Sequence, residues 1–320
     1  MIRCVLVAFL WLSCGSCQKP QLESPTVNVS PVVDNEIQFT RTPWAYESYE
    51  GVHIQTEYWN VYTTIGYEHI VNLLPMFYEE LVDHYSTVFG QLPTPARRMD
   101  VFLFATQSQW RMKVQDMLGR DAEQWYSLGR GGLTIDGVAV LYDLDRRGRS
   151  RTTLRIAAHE GWHQYAEAIF QSELPTWLDE GIGTWMEGFR MRNGSIQFEP
   201  TSNWDRLNSL RKLVYAKRLM PLTEVMSSNP SALLSDSRSS LLGYYAQLWG
   251  LTSFLIEAED GNYREELLNI FQQALDGTLN GRRVNPSYWL RFFTDDEKAL
   301  ELEYQDWIKQ FVKPGSPWRS

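Results

Sequence analysis

Residues 154–165 read Leu-Arg-Ile-Ala-Ala-His-Glu-Gly-Trp-His-Gln-Tyr, and they set His159, Glu160 and His163 in a His-Glu-x-x-His pattern. On a helix, residues four apart project from nearly the same side, so this spacing directs two imidazoles at one point. At about 100° per residue, His163 lies about 40° from His159 around the axis and Glu160 about 60° from His163. Two neutral imidazoles are zinc-ligand chemistry, and the carboxylate beside them can handle a proton. Leu154, Ala158, Tyr165 and Ile169 make an apolar stripe on this helix, while Glu160, Gln164, Glu167 and Gln171 make a polar stripe beside the histidines. The histidines are therefore expected at a border between core and cleft, where a catalytic metal sits. In a chain with 5 histidines, the pattern arises by chance on the order of once in a hundred chains. The plainer reading is two helix histidines in ordinary hydrogen bonds.

A catalytic zinc takes three protein ligands and keeps a fourth position open. The next helical stretch offers Trp177-Leu178-Asp179-Glu180-Gly181, with Glu180 standing 17 positions after His163. The break between the two helices centres near Ser172, so His163 lies 9 residues before it and Glu180 lies 8 after it. In an antiparallel helix pair, residues equidistant from the turn come level with each other. The spacing predicts His159, His163 and Glu180 around Zn2+, against the plainer alternative that Glu180 is a surface carboxylate. Glu187, two turns further on, is too far along to be level with His163.

The rest of the chain bounds the setting. Its 320 residues, 43% apolar, suffice for a sizeable core, and the net charge of −9 argues against a nucleic-acid partner. The three cysteines, Cys4, Cys14 and Cys17, all fall in the first 17 residues. Residues 1–17 read as a secretory signal: Arg3 precedes a short apolar run (5–12), then come small residues. The run is too short to span a bilayer. Gly15-Ser16-Cys17 resembles a bacterial lipoprotein box with Cys17 lipidated; an ordinary cleaved signal is the alternative. The expected location is extracytoplasmic, with membrane contact through that anchor. Residues 18–43, polar and broken by Pro20, Pro25 and Pro31, read as a flexible tether.

From 44 to 152 the patterns predict a small mixed α/β layer. Strands are expected at 51–58, 99–104 and 133–142, the last turning as a hairpin at Asp136-Gly137. Helices are expected at 70–89, with Pro75 either kinking it or marking a late start, and at 108–118, with Thr106 or Ser108 as cap. A charged turn at 143–151 holds Arg146, Arg147, Arg149 and Arg151, read as solvated or as steering an anionic substrate group. Asp143 and Asp145 in it resemble a calcium pair only weakly. From 153 to 320 a mainly helical region follows, with helices at 177–189, 205–213, 239–258, 263–275 and 295–312. The fold class is α+β, with the zinc site on the helix between the two parts. The 13 tryptophans read as core of the helical lobe, or as a groove for peptide or glycan.

With its downstream Glu180 in Trp-Leu-Asp-Glu-Gly, the His159-Glu160-x-x-His163 motif resembles the gluzincin zinc metallopeptidases, the thermolysin-like and aminopeptidase groups with their many bacterial relatives. That resemblance implies His159, His163 and Glu180 as zinc ligands and Glu160 as general base. Its specific part covers only about 155–187. The spacing to Glu180 is slightly shorter than in the best-known members, and the Gly-x-Met-x-Asn signature of the large aminopeptidases is absent. In several gluzincins a tyrosine from the helical lobe stabilises the oxyanion, and Tyr245 sits at a similar place; a core aromatic is the alternative. Tyr244 points about 100° away on the same helix. The expected activity is zinc-dependent hydrolysis of peptide bonds in a peptide or protein substrate, as an endopeptidase. The rival readings are an inactive metal-binding envelope lipoprotein and a zinc amidase acting on cell-wall peptides.

Overall fold

The computed structural model describes residues 37–126, 131–145, 151–192, 195–228, 230, 238–258, 261, 263–279 and 285–317. The signal, Cys17, most of the tether and Arg146, Arg147 and Arg149 lie outside the described residues. The architecture is α+β, a six-stranded sheet followed by a mainly helical region. The strands are β1 (Thr40–Tyr46), β2 (Tyr49–Gln55), β3 (Trp59–Thr63), β4 (Met99–Phe104), β5 (Gly132–Ile135) and β6 (Val138–Tyr142). They lie in the order β1-β2-β3-β4-β6-β5; β3, β4 and β6 run parallel and the other pairings are antiparallel.

Alternation along the strands splits the core in two. Val61, Val101, Leu103, Ala139 and Leu141 face one side of the sheet and join the main core; Phe104, Val140 and Tyr142 face the other with a smaller cluster. That second cluster is closed by α3 (Gln107–Leu118), whose Trp110 donates Nε1–H to the Val140 carbonyl at 3.0 Å, and by the single turn α4 (Glu123–Tyr126). The first face carries the one-turn α1 (Glu68–Val71), α2 (Leu74–Thr87) and the motif helix α5 (Arg151–Ile169).

Several expectations hold in detail. Pro75 sits in the first turn of α2, where its missing N–H has no intrahelical partner to lose, so it marks a late start and no kink. Thr106 caps α3 in a capping box with Gln109. Asp136 and Gly137 both have positive φ, 48° and 73°, the backbone of a tight two-residue hairpin turn. Asp145 accepts from the Thr152 and Thr153 amides, and Asp143 accepts from the Thr153 hydroxyl at 2.9 Å, so this pair caps the N-terminus of α5.

Other expectations need correction. Residues 40–43, assigned to the tether, already pair with β2, and Pro43 fits because β1 is an edge strand. The strand expected at 51–58 ends at Gln55, where residues 56–58 turn the chain, and β3 beyond it was not expected. The Gln164 side chain does not face a cleft. It is buried and donates to the Asp100 and Gly137 carbonyls at 2.8 and 2.7 Å, stapling α5 to the sheet. α5 is buried on every side from Ala157 to Ala166 because the helical lobe packs on the face the sheet leaves open.

That lobe comprises α6 (Thr176–Met186), the hairpin β7 (Phe189–Arg192) and β8 (Ser195–Phe198), α7 (Trp204–Tyr215), α8 (Leu222–Ser227), α9 (Arg238–Glu257), α10 (Arg264–Leu275), α11 (Pro286–Leu290) and α12 (Glu297–Phe311). Trp59, Trp110, Trp162, Trp177 and Trp249 are fully buried, which makes them core and not groove. No described helix is long and apolar enough to cross a membrane.

His84 on α2 shows how the lobe closes on the sheet layer. Its ring stacks on Phe198 of β8 at 3.7 Å, with Nε2 buried and unpartnered among the described residues, and burial pushes its pKa down to about 4. Unfolded, the same group titrates near 6.5. Between these values the unfolded chain binds the proton and the native one does not, so His84 lowers stability as pH falls from about 6.5 to 4. The expected loss is about 3 kcal/mol. Urea unfolding at pH 7 and pH 4.5 should show that His84→Phe removes this part of the acid sensitivity; equal pH slopes for both proteins would refute it.

Candidate metal centre

Two helices build the site. α5 supplies His159 and His163 from one face. The chain then turns through 170–175, where the Gln171 and Ser172 amides bond to the Ala274 carbonyl of α10, and α6 returns antiparallel. The antiparallel order is visible residue by residue: Asp179 and Glu180 stand opposite His163, while Gly183 and Glu187 stand opposite His159.

The ligand atoms of His159, His163 and Glu180 lie within 4.8 Å of one another, and all three residues are buried. Glu180 Oε2 is 3.3 Å from His159 Nε2 and 3.8 Å from His163 Nε2. A tetrahedral zinc with bonds of about 2.0–2.1 Å sets its ligand atoms about 3.4 Å apart. Among the described residues, none of these three atoms has a partner in hydrogen-bonding geometry. Three buried polar atoms left unpaired and aimed at one point would be costly on their own. Four buried carboxylates, Glu160, Asp179, Glu180 and Glu187, converge here with Arg206 as the guanidinium among them. A divalent cation would satisfy the donors and offset the charge, so the group fits a metal ion.

Each histidine is oriented from behind. His163 Nδ1 is 3.0 Å from Asp179 Oδ2, and the other Asp179 oxygen accepts from Trp162 Nε1 at 3.0 Å. His159 Nδ1 is 3.0 Å from Glu187 Oε1. A carboxylate on Nδ1 fixes the tautomer that leaves Nε2 free to bind a metal. Glu187 therefore stands behind His159 and outside the His159–His163–Glu180 group that could hold a metal ion. Burial alone would lower the pKa of His159, yet Glu180 and Glu187 outweigh it and raise it well above the usual imidazole range. Metal uptake near neutral pH must then displace a proton from His159.

Glu160 is fully buried beside the ligands. Its Oε2 accepts from the Thr134 hydroxyl of β5 at 2.8 Å, and its Oε1 has no hydrogen-bond partner among the described residues. Tyr245 on α9 lies with its ring 6.3 Å from that of His159 at 76°. Its hydroxyl makes no hydrogen bond with the described residues, and burial, with Glu180 adding, pushes its pKa well above the ordinary phenol. Tyr244 is used elsewhere: its hydroxyl donates to the Ser228 carbonyl at 3.0 Å. The structure thus brings together all five residues read from the sequence.

Thr134, Asp179, Glu187, Asn203 and Arg206 were not foreseen as parts of the site. Asp179 and Glu187 carried a signal, one adjacent to Glu180 and the other two turns along the same helix face. Thr134 shares a strand face with the core because it pairs with Ala139. Nothing local marks Arg206.

Residues 153–276 match a family described as a protein of unknown function (DUF1570). The match covers less than half of the chain, yet it spans His159, Glu160, His163, Glu180, Glu187, Arg206 and Tyr245; the six-stranded sheet lies before it. No curated protein matches the chain, and neither does any solved structure.

Proposed function

We propose that this protein is a zinc-dependent hydrolase of peptide bonds, an endopeptidase acting outside the cytoplasm. The observation that carries the reading is Glu160. A metal held only for structure has no use for a further buried carboxylate beside it. This one is tied through Oε2 to Thr134 and keeps Oε1 unpaired among the described residues. When bound, zinc supplies Lewis acidity, lowering the pKa of water to about 7 and polarising a carbonyl.

The chain's own residues account for the remaining steps. Glu160 accepts the proton of the attacking water at Oε1 and returns it to the leaving amine. Tyr245, protonated at neutral pH and with its hydroxyl unengaged by the described residues, is the donor for the oxyanion. Support for a peptide substrate comes from β5. It is an outer strand of the sheet, pairs only with β6 among the described strands, and runs past Glu160. An extended peptide adds to such an edge through main-chain hydrogen bonds. The likeness to gluzincins rests on the motif and its spacing. Membrane contact through Cys17 belongs to the same proposal.

The test uses purified protein, a chelator and a broad peptide library that includes cell-wall peptides, with products read by mass spectrometry. We expect one equivalent of zinc, cleavage that stops on chelation, and its return when zinc is restored. Cleavage that survives complete removal of metal would refute metal dependence. Full zinc loading without cleavage would favour a binding role, and cleavage confined to cell-wall peptides an amidase.

A further inference from the structure

α7 reaches the metal centre from outside the motif helices. Its first turn delivers Arg206, whose side chain is 14% exposed, to Glu187. Nε of Arg206 donates to Glu187 Oε2 at 2.9 Å and Nη2 donates to Oε1 at 2.5 Å. The neighbouring Asn203 donates from Nδ2 to Oε2 at 3.0 Å, while its Oδ1 accepts from the Arg206 amide at 3.3 Å. Oε1 of Glu187 is the same oxygen that meets His159 Nδ1. The Arg206 guanidinium also lies 5.3 Å from the centre of the Tyr245 ring, and that ring packs against His159.

We propose that Arg206 is a positioning residue of the metal centre: it fixes the His159 ring through Glu187 and sets Tyr245 against the same ring. The inference rests on His159 being a metal ligand. A planar guanidinium gripping both oxygens leaves a carboxylate one orientation, and here that orientation points Oε1 at Nδ1. Without Arg206, Glu187 is a buried anion held, among the described residues, by Asn203 on Oε2 and the His159 ring on Oε1. Two single contacts do not fix the carboxylate plane as the guanidinium fork does. Lysine cannot replace the grip, because an ammonium is a point charge without the fork. One residue thereby ties the two sides of the site together, the ligand helix α5 and the tyrosine helix α9.

The test compares wild type, Arg206→Lys, Arg206→Met, Glu187→Gln and the Arg206→Lys/Glu187→Gln pair. Each is titrated with Co2+ and followed by its visible absorption; the His159 ring nitrogens are followed by 15N NMR in the metal-free protein. Arg206→Lys should lower Co2+ affinity by about 10–100-fold, alter the cobalt band and shift the His159 resonances. The pair should bind no worse than the weaker single variant, because both changes break one chain of contacts. Unchanged affinity and ring resonances in folded Arg206→Lys would overturn the proposal, and so would fully additive losses in the pair. Loss of fold in both Arg206 variants, seen by near-ultraviolet circular dichroism, would also overturn it by making Arg206 a stability residue. A wild type that takes up no Co2+ or Zn2+ fails the metal reading separately. Shifted His159 resonances in Arg206→Lys would still uphold the Arg206–Glu187–His159 link.

Discussion

Glu160→Gln is expected to bind its metal as the wild type does and to hydrolyse peptides about 10²–10⁴-fold more slowly. Glutamine keeps the size of the side chain. Its carbonyl oxygen can still accept from the Thr134 hydroxyl, which approaches Oε2 at 2.8 Å. The amide nitrogen then stands where Oε1 stood, at a position with no hydrogen-bond partner among the described residues. The fold therefore loses little, and His159, His163 and Glu180 keep their arrangement. What disappears is the capacity to take a proton from water and return it to an amine. Isothermal titration with Zn2+ measures the first half of the expectation, and initial rates on whichever library peptide is cleaved fastest measure the second. Equal rates would remove Glu160 as the base; a large drop in metal affinity would make it a ligand instead.

The parts of this site that could be read from the chain were those encoded by local period. Helical spacing puts His159 and His163 on one face whatever surrounds the helix. The level placement of Glu180 needed only a turn position and antiparallel geometry, because two helices joined by a short turn have little choice of register. The hairpin at Asp136-Gly137 was legible for a similar reason, since few residue pairs accept that backbone. β1 was not legible: Thr40 to Pro43 show no apolar alternation, and their strand character comes from pairing with β2. Trp59–Thr63 was not assigned at all, and the expected strand ran on to 58 because the turn at 56–58 lacks a strong breaker.

The surroundings of the ligands belong to tertiary structure. Gln164 and Glu160 share a polar stripe on the helical wheel, yet one staples the sheet and the other stands in the site. The wheel gives a direction, while the neighbour is set by how β4, β5 and β6 arrive. Arg206 lies 43 residues after His163, and no spacing rule links a helix start at that distance to the ring of His159. Glu187 shows the intermediate case. Its position along α6 excluded it as a ligand level with His163, but the same position brings it level with His159, where it serves from behind. The glycines of α6 are intelligible on this basis. They disfavour a helix by propensity, and the helix forms anyway because both allow close packing. At Gly181 a Cβ would stand 2.5 Å from Thr252 Oγ1 of α9, and at Gly183 it would meet His159.

Gly183 therefore allows a direct test of that packing. Gly183→Val is expected to abolish high-affinity metal binding although no ligand is altered. A Cβ at this position would lie 2.9 Å from His159 Nε2, 3.0 Å from Cδ2 and 3.1 Å from Cε1. The imidazole cannot swing away without losing Glu187 on Nδ1, and the ring is fully buried. Moving it takes Nε2, the ligand atom, out of convergence with His163 and Glu180. Displacing a ligand should exceed the roughly 10–100-fold loss typical of disturbing a partner behind one. Stability separates this effect from simple misfolding. Glycine is about 1 kcal/mol worse than alanine in a helix interior, so Gly183→Ala recovers helix propensity while its single methyl group still crowds the ring. The alanine variant should thus melt within a few degrees of metal-free wild type and bind zinc markedly more weakly, with valine weaker again and less stable by about 1–3 kcal/mol from overpacking. Zinc titration and thermal unfolding of the metal-free proteins make the comparison. Wild-type affinity in Gly183→Val would mean that His159 is not held where the contact with α6 places it.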